Sequence, residues 1–457
     1  MRSAEEYAEL AETAWAWVLT QVRYDDLGPW LPEKAGETAP GEYRFGMHSG
    51  ADGLAHVLAE IRLTRDLAPA EAALGDEIAA MLTDRIPVES DYDYFTGLTS
   101  HLGVLTALGA TGAPGAPGAL LAPGAPGAEQ AVARLADLRG PDGWPTGDVG
   151  PPRARPEATC NDATLGTAAV LLGALWAMRH DVPGAAAVAD DAAALLLAEG
   201  EERGTGVYWP FVPLRFLVGE DVQMPNWSHG QAGIAGTLAA AGVALGRPDL
   251  LEAARLGAEH LVAGADTSDG GLRLPHRVPG QEGLDTYTYT WCHGPAGTSL
   301  LFTALDRAGG PAVAGRTPYD WERACLHSLQ VSGIPERRYP GFWDNDGRCC
   351  GTAGVGDVVL SMWQRHGDDD ALAFATTLAD AVVDPAITED RHTYWRFVEH
   401  RNPDPLLAPG VGWMQGTAGI AAYLFRFARV LGQGRRADAV SRMDTWWTLP
   451  DRRVGAQ

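Results

Sequence analysis

The chain has 457 residues, of which 46% are hydrophobic and 21% charged, and it carries a formal net charge of −24. That length and composition suit a large folded core. So acidic a surface repels phosphate backbones and anionic headgroups, which leaves nucleic acid and membrane surfaces as poor partners. The longest apolar stretches, such as 232–245, are too short to span a bilayer. The opening MRSAEEYAEL lacks the apolar segment of a secretory signal, so a cytoplasmic location without membrane insertion is expected. Five cysteines, an odd number, point towards metal binding or catalysis rather than a disulfide framework.

In chain order, seven segments share one pattern: a small-residue turn of Gly-x-x-Gly type followed by an Ala/Leu-rich apolar run. Their leading glycines are Gly50, Gly97, Gly166, Gly230, Gly294, Gly351 and Gly416. The spacing gives each unit room for two helices. The runs after the glycines are apolar around most of their circumference, as in helices buried on several sides. Between them lie amphipathic segments, such as 251–263 and 371–383, with apolar residues at helical spacing. The expected fold is all-α: seven inner helices ringed by seven outer ones, in a single domain over 1–457. Periodicity alone leaves an open solenoid as the alternative to a closed barrel. The glycines are expected to allow close backbone approach and positive φ in the preceding turns. Residues just before each glycine would then face one another across a shared hollow.

Two stretches break the pattern. Residues 109–128 form a Gly/Ala/Pro low-complexity segment, read as a flexible loop. Residues 204–227 mix aromatic and β-branched residues with Pro and Gly, which predicts a small strand-containing insertion near the barrel mouth.

Residues with chemical potential gather at the repeat turns. Repeat five opens with Trp291, Cys292, His293 and Gly294, and repeat six with Arg348, Cys349, Cys350 and Gly351. His229 directly precedes Gly230, while Cys160 and Asp162 lie just upstream of Gly166. Three thiolates with an open fourth position suit zinc, which is tetrahedral and favours sulfur. Taken singly, Cys292 or Cys349 could equally be a core thiol; their repeat-equivalent positions favour a joint site with Cys350 as the third ligand, the alternative being that only one of the adjacent Cys349 and Cys350 reaches the metal. Cys160 and Cys325 read as packed in the core. His229 suits general acid or base work near neutral pH. Asp162 could orient such a base or serve as a helix N-cap. His293 and Trp291, flanking Cys292, are candidates for supporting or cavity-lining roles.

Trp-Cys-His-Gly, a following Cys-x-Gly element, Ser-His-Gly before them and seven glycine repeats resemble the lanthionine synthetase C-like family, over residues of about 45 to 430. The resemblance implies an α/α toroid with zinc at the top of a central cavity. It implies Cys292 and Cys349 as the first two ligands, and Cys350 in the place more commonly held by histidine. His229 and Asp162 match the family's catalytic pair. Ser100 and Ala169 depart from the second glycine of the pattern, and Tyr287–Thr290 lack the basic residue found before Trp-Cys in relatives.

The implied activity is a zinc-dependent peptide cyclase that adds a cysteine thiol to dehydroalanine or dehydrobutyrine, giving lanthionine or methyllanthionine. Its substrate would be a dehydrated precursor peptide, supplied by a separate dehydratase. The alternatives are addition of glutathione or another small thiol, and a zinc-stabilised scaffold that binds peptide without catalysis. An α/α-barrel glycosidase would need paired carboxylates at the mouth, where this chain has thiols.

Overall fold

A computed structural model describes residues 2–109, 127–283, 285–336, 345–398 and 406–450. Most of the 109–128 segment therefore lies outside the described residues. Among those described there are fourteen α-helices: α1 (Ala4–Gln21), α2 (Leu54–Arg62), α3 (Pro69–Arg85), α4 (Leu98–Gly109), α5 (Ala128–Leu138), α6 (Thr167–Arg179), α7 (Ala185–Glu199), α8 (Gln231–Ala244), α9 (Pro248–Ala263), α10 (Pro295–Arg307), α11 (Pro318–Val331), α12 (Thr352–His366), α13 (Asp369–Val383) and α14 (Thr417–Gln433).

The even-numbered helices form the inner layer. Each packs on the next, from α2 through to α14, and α14 packs back on α2, so the ring is closed. Each odd-numbered helix from α3 to α13 covers the inner helix before it, and α1 covers α14. The first helix of the chain thus completes the last repeat. The result is an α/α toroid. None of its helices is long and apolar enough to cross a membrane among the described residues.

The sequence pattern accounts for the layers. Helix α8 is buried continuously from Gln231 to Gly242, as an element apolar on all sides must be. Helix α9 buries Leu250, Ala254, Gly257, Ala258 and Leu261, one stripe at helical spacing. Each such leucine contributes about 1.5–3 kcal/mol by leaving water. Ser3 caps α1 reciprocally with Glu6, the S-x-x-E signature of a helix start.

Inner helices begin differently. Their first amides are satisfied by carbonyls of the incoming turn: Gln231 N donates to Met224 O at 2.9 Å and Thr417 N to Gly410 O at 3.0 Å. The turn must lie almost on the helix end, and this is what the glycines permit. A Cβ at Gly230 would stand 1.6 Å from Met224 O, and one at Gly354 1.7 Å from Arg348 O. The expectation of positive φ is not met: Gly230 has φ −177° and Gly351 φ −138°. These are extended conformations, so close approach is the whole reason for glycine.

Among the described residues, four short antiparallel strand pairs decorate the toroid. One pairs Glu201–Arg203 with Gly206–Tyr208, at the start of the 204–227 stretch. The rest of that stretch is ordered loop, tied down by Gln231, whose side chain accepts from Trp209 N and donates to Val207 O.

Candidate active site

The seven turns are stitched into a ring at the N-terminal ends of the inner helices. Met414 N donates to His48 O, His48 N to Phe95 O, and Tyr94 N to Thr164 O. Thr164 Oγ1 lies 2.9 Å from Ser228 O, and Ser228 N donates to Cys292 O, Cys292 N to Cys349 O, and Cys349 N to Met414 O. His48, Phe95, Thr164, Ser228, Cys292, Cys349 and Met414 all stand two places before their leading glycines. The next residue of every turn faces inward. Ser49, Thr96, Leu165, His229, His293, Cys350 and Gln415 all line one cavity of about 620 Å³. The repeat thus converts sequence register into position around a single mouth.

Cys292 and Cys349 occupy the same register in neighbouring turns, and Cys350 follows on the inward side. Cys292 Sγ lies 3.4 Å from Cys350 Sγ, which lies 3.5 Å from Cys349 Sγ. All three sulfurs fall within 4.8 Å of one another. A tetrahedral zinc with bonds of about 2.3 Å would hold its sulfurs about 3.8 Å apart, so the donor set fits that ion in number, chemistry and spread. Cys292 is the sulfur held well below the ordinary thiol range, because Cys349 and Cys350 hydrogen-bond to it. The same contacts push Cys349 up. Cys160 and Cys325 are buried thiols raised by desolvation, outside this cluster.

His229 faces the cavity beside the thiols. Its Nδ1 is 2.8 Å from Asp162 Oδ2. Asp162 has no solvent exposure, and it also accepts from Leu165 N at 2.7 Å and Thr164 Oγ1 at 3.0 Å. Those bonds fix the carboxylate, and the carboxylate assigns the Nδ1 proton, leaving Nε2 for chemistry. Desolvation opposes a charge on His229, yet the bond to Asp162 and that residue's charge outweigh it and raise the imidazole above its ordinary pKa. Leu165 lies before α6, whose N-cap is Gly166 without a side-chain cap, so Asp162 braces the turn and is not the helix N-cap.

His293 lines the cavity with its ring 5.4 Å from that of His229 and 4.1 Å from that of His276. Trp291 is placed otherwise. It is buried against Tyr94 at 6.4 Å and forms part of the floor below the cavity. Phe211, from the 204–227 stretch, turns its ring edge towards His229, and Met224 lines the cavity. Sequence reasoning missed His48 and Arg277, both on the cavity wall. Burial pushes His48 down to about 4, so it is neutral at pH 7. Its signal was present in the sequence, since His48 holds the register of Cys292 and Cys349. Arg277 comes from a loop with no repeat register to mark it.

A closed α/α toroid with a three-thiol cluster and a histidine–carboxylate pair at one mouth defines the class of protein. Residues 227–429 match the model of the family described as lanthionine synthetase C-like protein. That span includes His229 and all three clustered cysteines. Among solved structures, nisin cyclase superposes with a TM-score of 0.51 at 12% identity, covering 85% of this chain and 89% of that one. The Lin0763 protein from Listeria innocua gives 0.51 at 11% identity, covering 94% and 99%. At such identities the likeness is one of fold. No curated protein matches the chain.

Proposed function

We propose that this chain is a zinc-dependent lanthipeptide cyclase. It joins a cysteine thiol of a dehydrated peptide to a dehydroalanine or dehydrobutyrine of the same peptide. The observation that carries this reading is the meeting of three thiols and the His229–Asp162 pair on one cavity wall. Family and fold support it.

Cys292, Cys349 and Cys350 would hold the metal, whose positive charge lowers the pKa of a thiol brought to it and fixes that sulfur in place. In the reaction a carbon–sulfur bond forms at Cβ, and the π pair of the alkene moves onto Cα and its carbonyl. His229 then gives a proton to Cα from Nε2, while Asp162 stabilises the charged imidazole and holds the ring in place. The proton lost by the thiol balances the one gained at Cα, so the product has the mass of the substrate. The cavity is of the size that takes a small ligand or a short segment of chain, which suits a peptide presented one ring at a time. A separate dehydratase would supply the unsaturated residues.

Elemental analysis tests the metal centre. About one zinc per chain in the wild type, lost in both Cys292→Ala and Cys349→Ala, supports the reading. A protein purified without chelator that holds no zinc and acquires none on addition contradicts it.

A further inference from the structure

Below the active-site floor lies a belt of buried charge. Asp357 on α12 receives Arg426 Nη1 of α14 at Oδ1 and Arg348 Nη2 at Oδ2, both at 2.7 Å. Glu60 on α2 receives Arg429 of α14. Arg442, beyond α14, touches both acids: its Nη2 is 2.5 Å from Asp357 Oδ2 and its Nη1 3.5 Å from Glu60 Oε1. These carboxylates and guanidinia are all buried. Glu60 and Asp357 belong to the inner helices on either side of α14, where the end of the chain meets its beginning.

Arg442 reaches this place because the segment after α14 turns back into the toroid. Met443 lies against Gly103 of α4, and Trp447 donates from Nε1 to Leu300 O of α10 at 3.0 Å. The C-terminal segment is thus a plug in the central hollow, with Arg442 at its tip. From the tip a short path leads to the metal-ligand turn. Arg442 and Arg348 share Asp357 Oδ2, and Arg348 lies over the Trp413 ring with its Cζ 4.3 Å from the centroid. Arg348 is bonded to Cys349, and the backbone amides of both donate to Met414 O at 2.8 Å. A side chain at Gly419 would strike Arg348, so the repeat-seven glycine keeps its place open.

We infer that Arg442 is a positioning residue for the metal centre: its guanidinium, through Asp357 and Arg348, sets the turn that carries Cys349 and Cys350. This rests on the metal-binding reading above. It does not require Arg442 to touch metal or substrate. Desolvation offsets the attraction within a buried ion pair, so its presence is weak evidence for net stability, and a two-way guanidinium fork is what lysine cannot reproduce.

The test is metal affinity, by chelator competition, together with the absorption spectrum of the cobalt-substituted full chain. Arg442→Lys keeps the buried charge and loses the bridge between the acids, while Arg442→Gln loses both. Trp447→Phe loosens the plug at its other end and controls for stability. The expected result is zinc affinity lowered about threefold or more in Arg442→Lys and tenfold or more in Arg442→Gln, each with a shifted cobalt spectrum. Trp447→Phe should lower the thermal midpoint and leave affinity and spectrum alone. Folded Arg442→Lys with wild-type affinity and spectrum overturns the inference while the metal reading stands. Equal weakening in Trp447→Phe also overturns it, since plug stability would then be the cause. A wild type without metal overturns both.

Discussion

His229 Nδ1 lies 2.8 Å from Asp162 Oδ2, across two neighbouring repeats and with the carboxylate sealed from solvent. The pair makes His229 a directed proton donor with its second nitrogen towards the cavity. His229→Ala should lower kcat by about 10²–10⁴, the range for loss of a general acid, with zinc content unchanged. Asp162→Asn should also lower it, because an amide can neither hold the tautomer nor balance the imidazolium. A full complement of zinc with wild-type turnover in either variant would remove the pair from the mechanism.

The pH profile follows from the direction of the His229 shift. A pKa raised above the ordinary histidine value keeps the ring protonated to higher pH. A step that needs the acid should therefore run at full rate below the raised pKa and fall as pH rises through it. In Asp162→Asn the falling limb of kcat should move to lower pH, since the bond and charge that raise the pKa are gone. The same raised pKa stabilises the fold below the unfolded-state value and is lost on the alkaline side. Rate profiles of wild type and variant with coincident alkaline limbs would show that another group controls the step.

The cysteines should divide into two classes. Cys350→Ala should weaken zinc binding by at least a hundredfold, because it removes one of three sulfurs within 4.8 Å. Cys325→Ala should leave the metal in place and cost about 1 kcal/mol of stability by thinning the core. Zinc titration and urea unfolding of both variants separate these roles. Retention of metal by Cys350→Ala would mean that the turn of repeat six contributes a single ligand.

Asp52 is fully buried, and among the described residues neither of its carboxylate oxygens has a hydrogen-bond partner. Desolvation raises its pKa well above the carboxylate range, against the pull of Arg85 and Arg44. The folded state therefore holds a proton that the unfolded state releases, and this group's contribution falls as pH rises above the unfolded pKa. Asp52→Asn should remove that loss, so the variant should gain on the wild type between pH 5 and pH 8 in urea unfolding. A constant difference across that interval would mean that Asp52 is not held protonated.

The repeat turns predict where backbone crowding is absolute. Gly230→Ala should cost about 3 kcal/mol or more, as its Cβ would stand 1.6 Å from a carbonyl oxygen. Ser100 and Ala169 show that a Cβ is accommodated at the second glycine position of repeats two and three, so Ala169→Gly should cost only about 1 kcal/mol. Comparable losses at the two positions would refute the steric account.

Much of this site was legible because the repeat fixes register. Cys292, Cys349, Cys350 and His229 stand beside their glycines in the sequence, and the turns carry that alignment into space. His48 shared the register and was passed over because its neighbours are Met47 and Ser49 rather than a chemical motif. Trp291 was expected to support the ligand turn or line the cavity; it does not line the cavity and packs in the core beside Tyr94. Closure of the ring was beyond periodicity, since it depends on α14 packing back on α2, with Arg442 bridging acids nearly 300 residues apart in the chain. The glycines were read correctly as sites of close approach, while their extended φ follows from how the turn lies over the helix.

The central claim is that this cavity forms thioether rings, and thiol protection measures it most directly because cyclisation leaves the mass unchanged. A dehydrated peptide with one cysteine and one dehydroalanine is incubated with the zinc-loaded protein, then alkylated and weighed. The account predicts that wild type protects the cysteine from alkylation, and that Cys292→Ala and His229→Ala leave it exposed. If the cysteine is alkylated equally with wild type, variants and no protein, across peptides of varied sequence, the cyclase reading is contradicted.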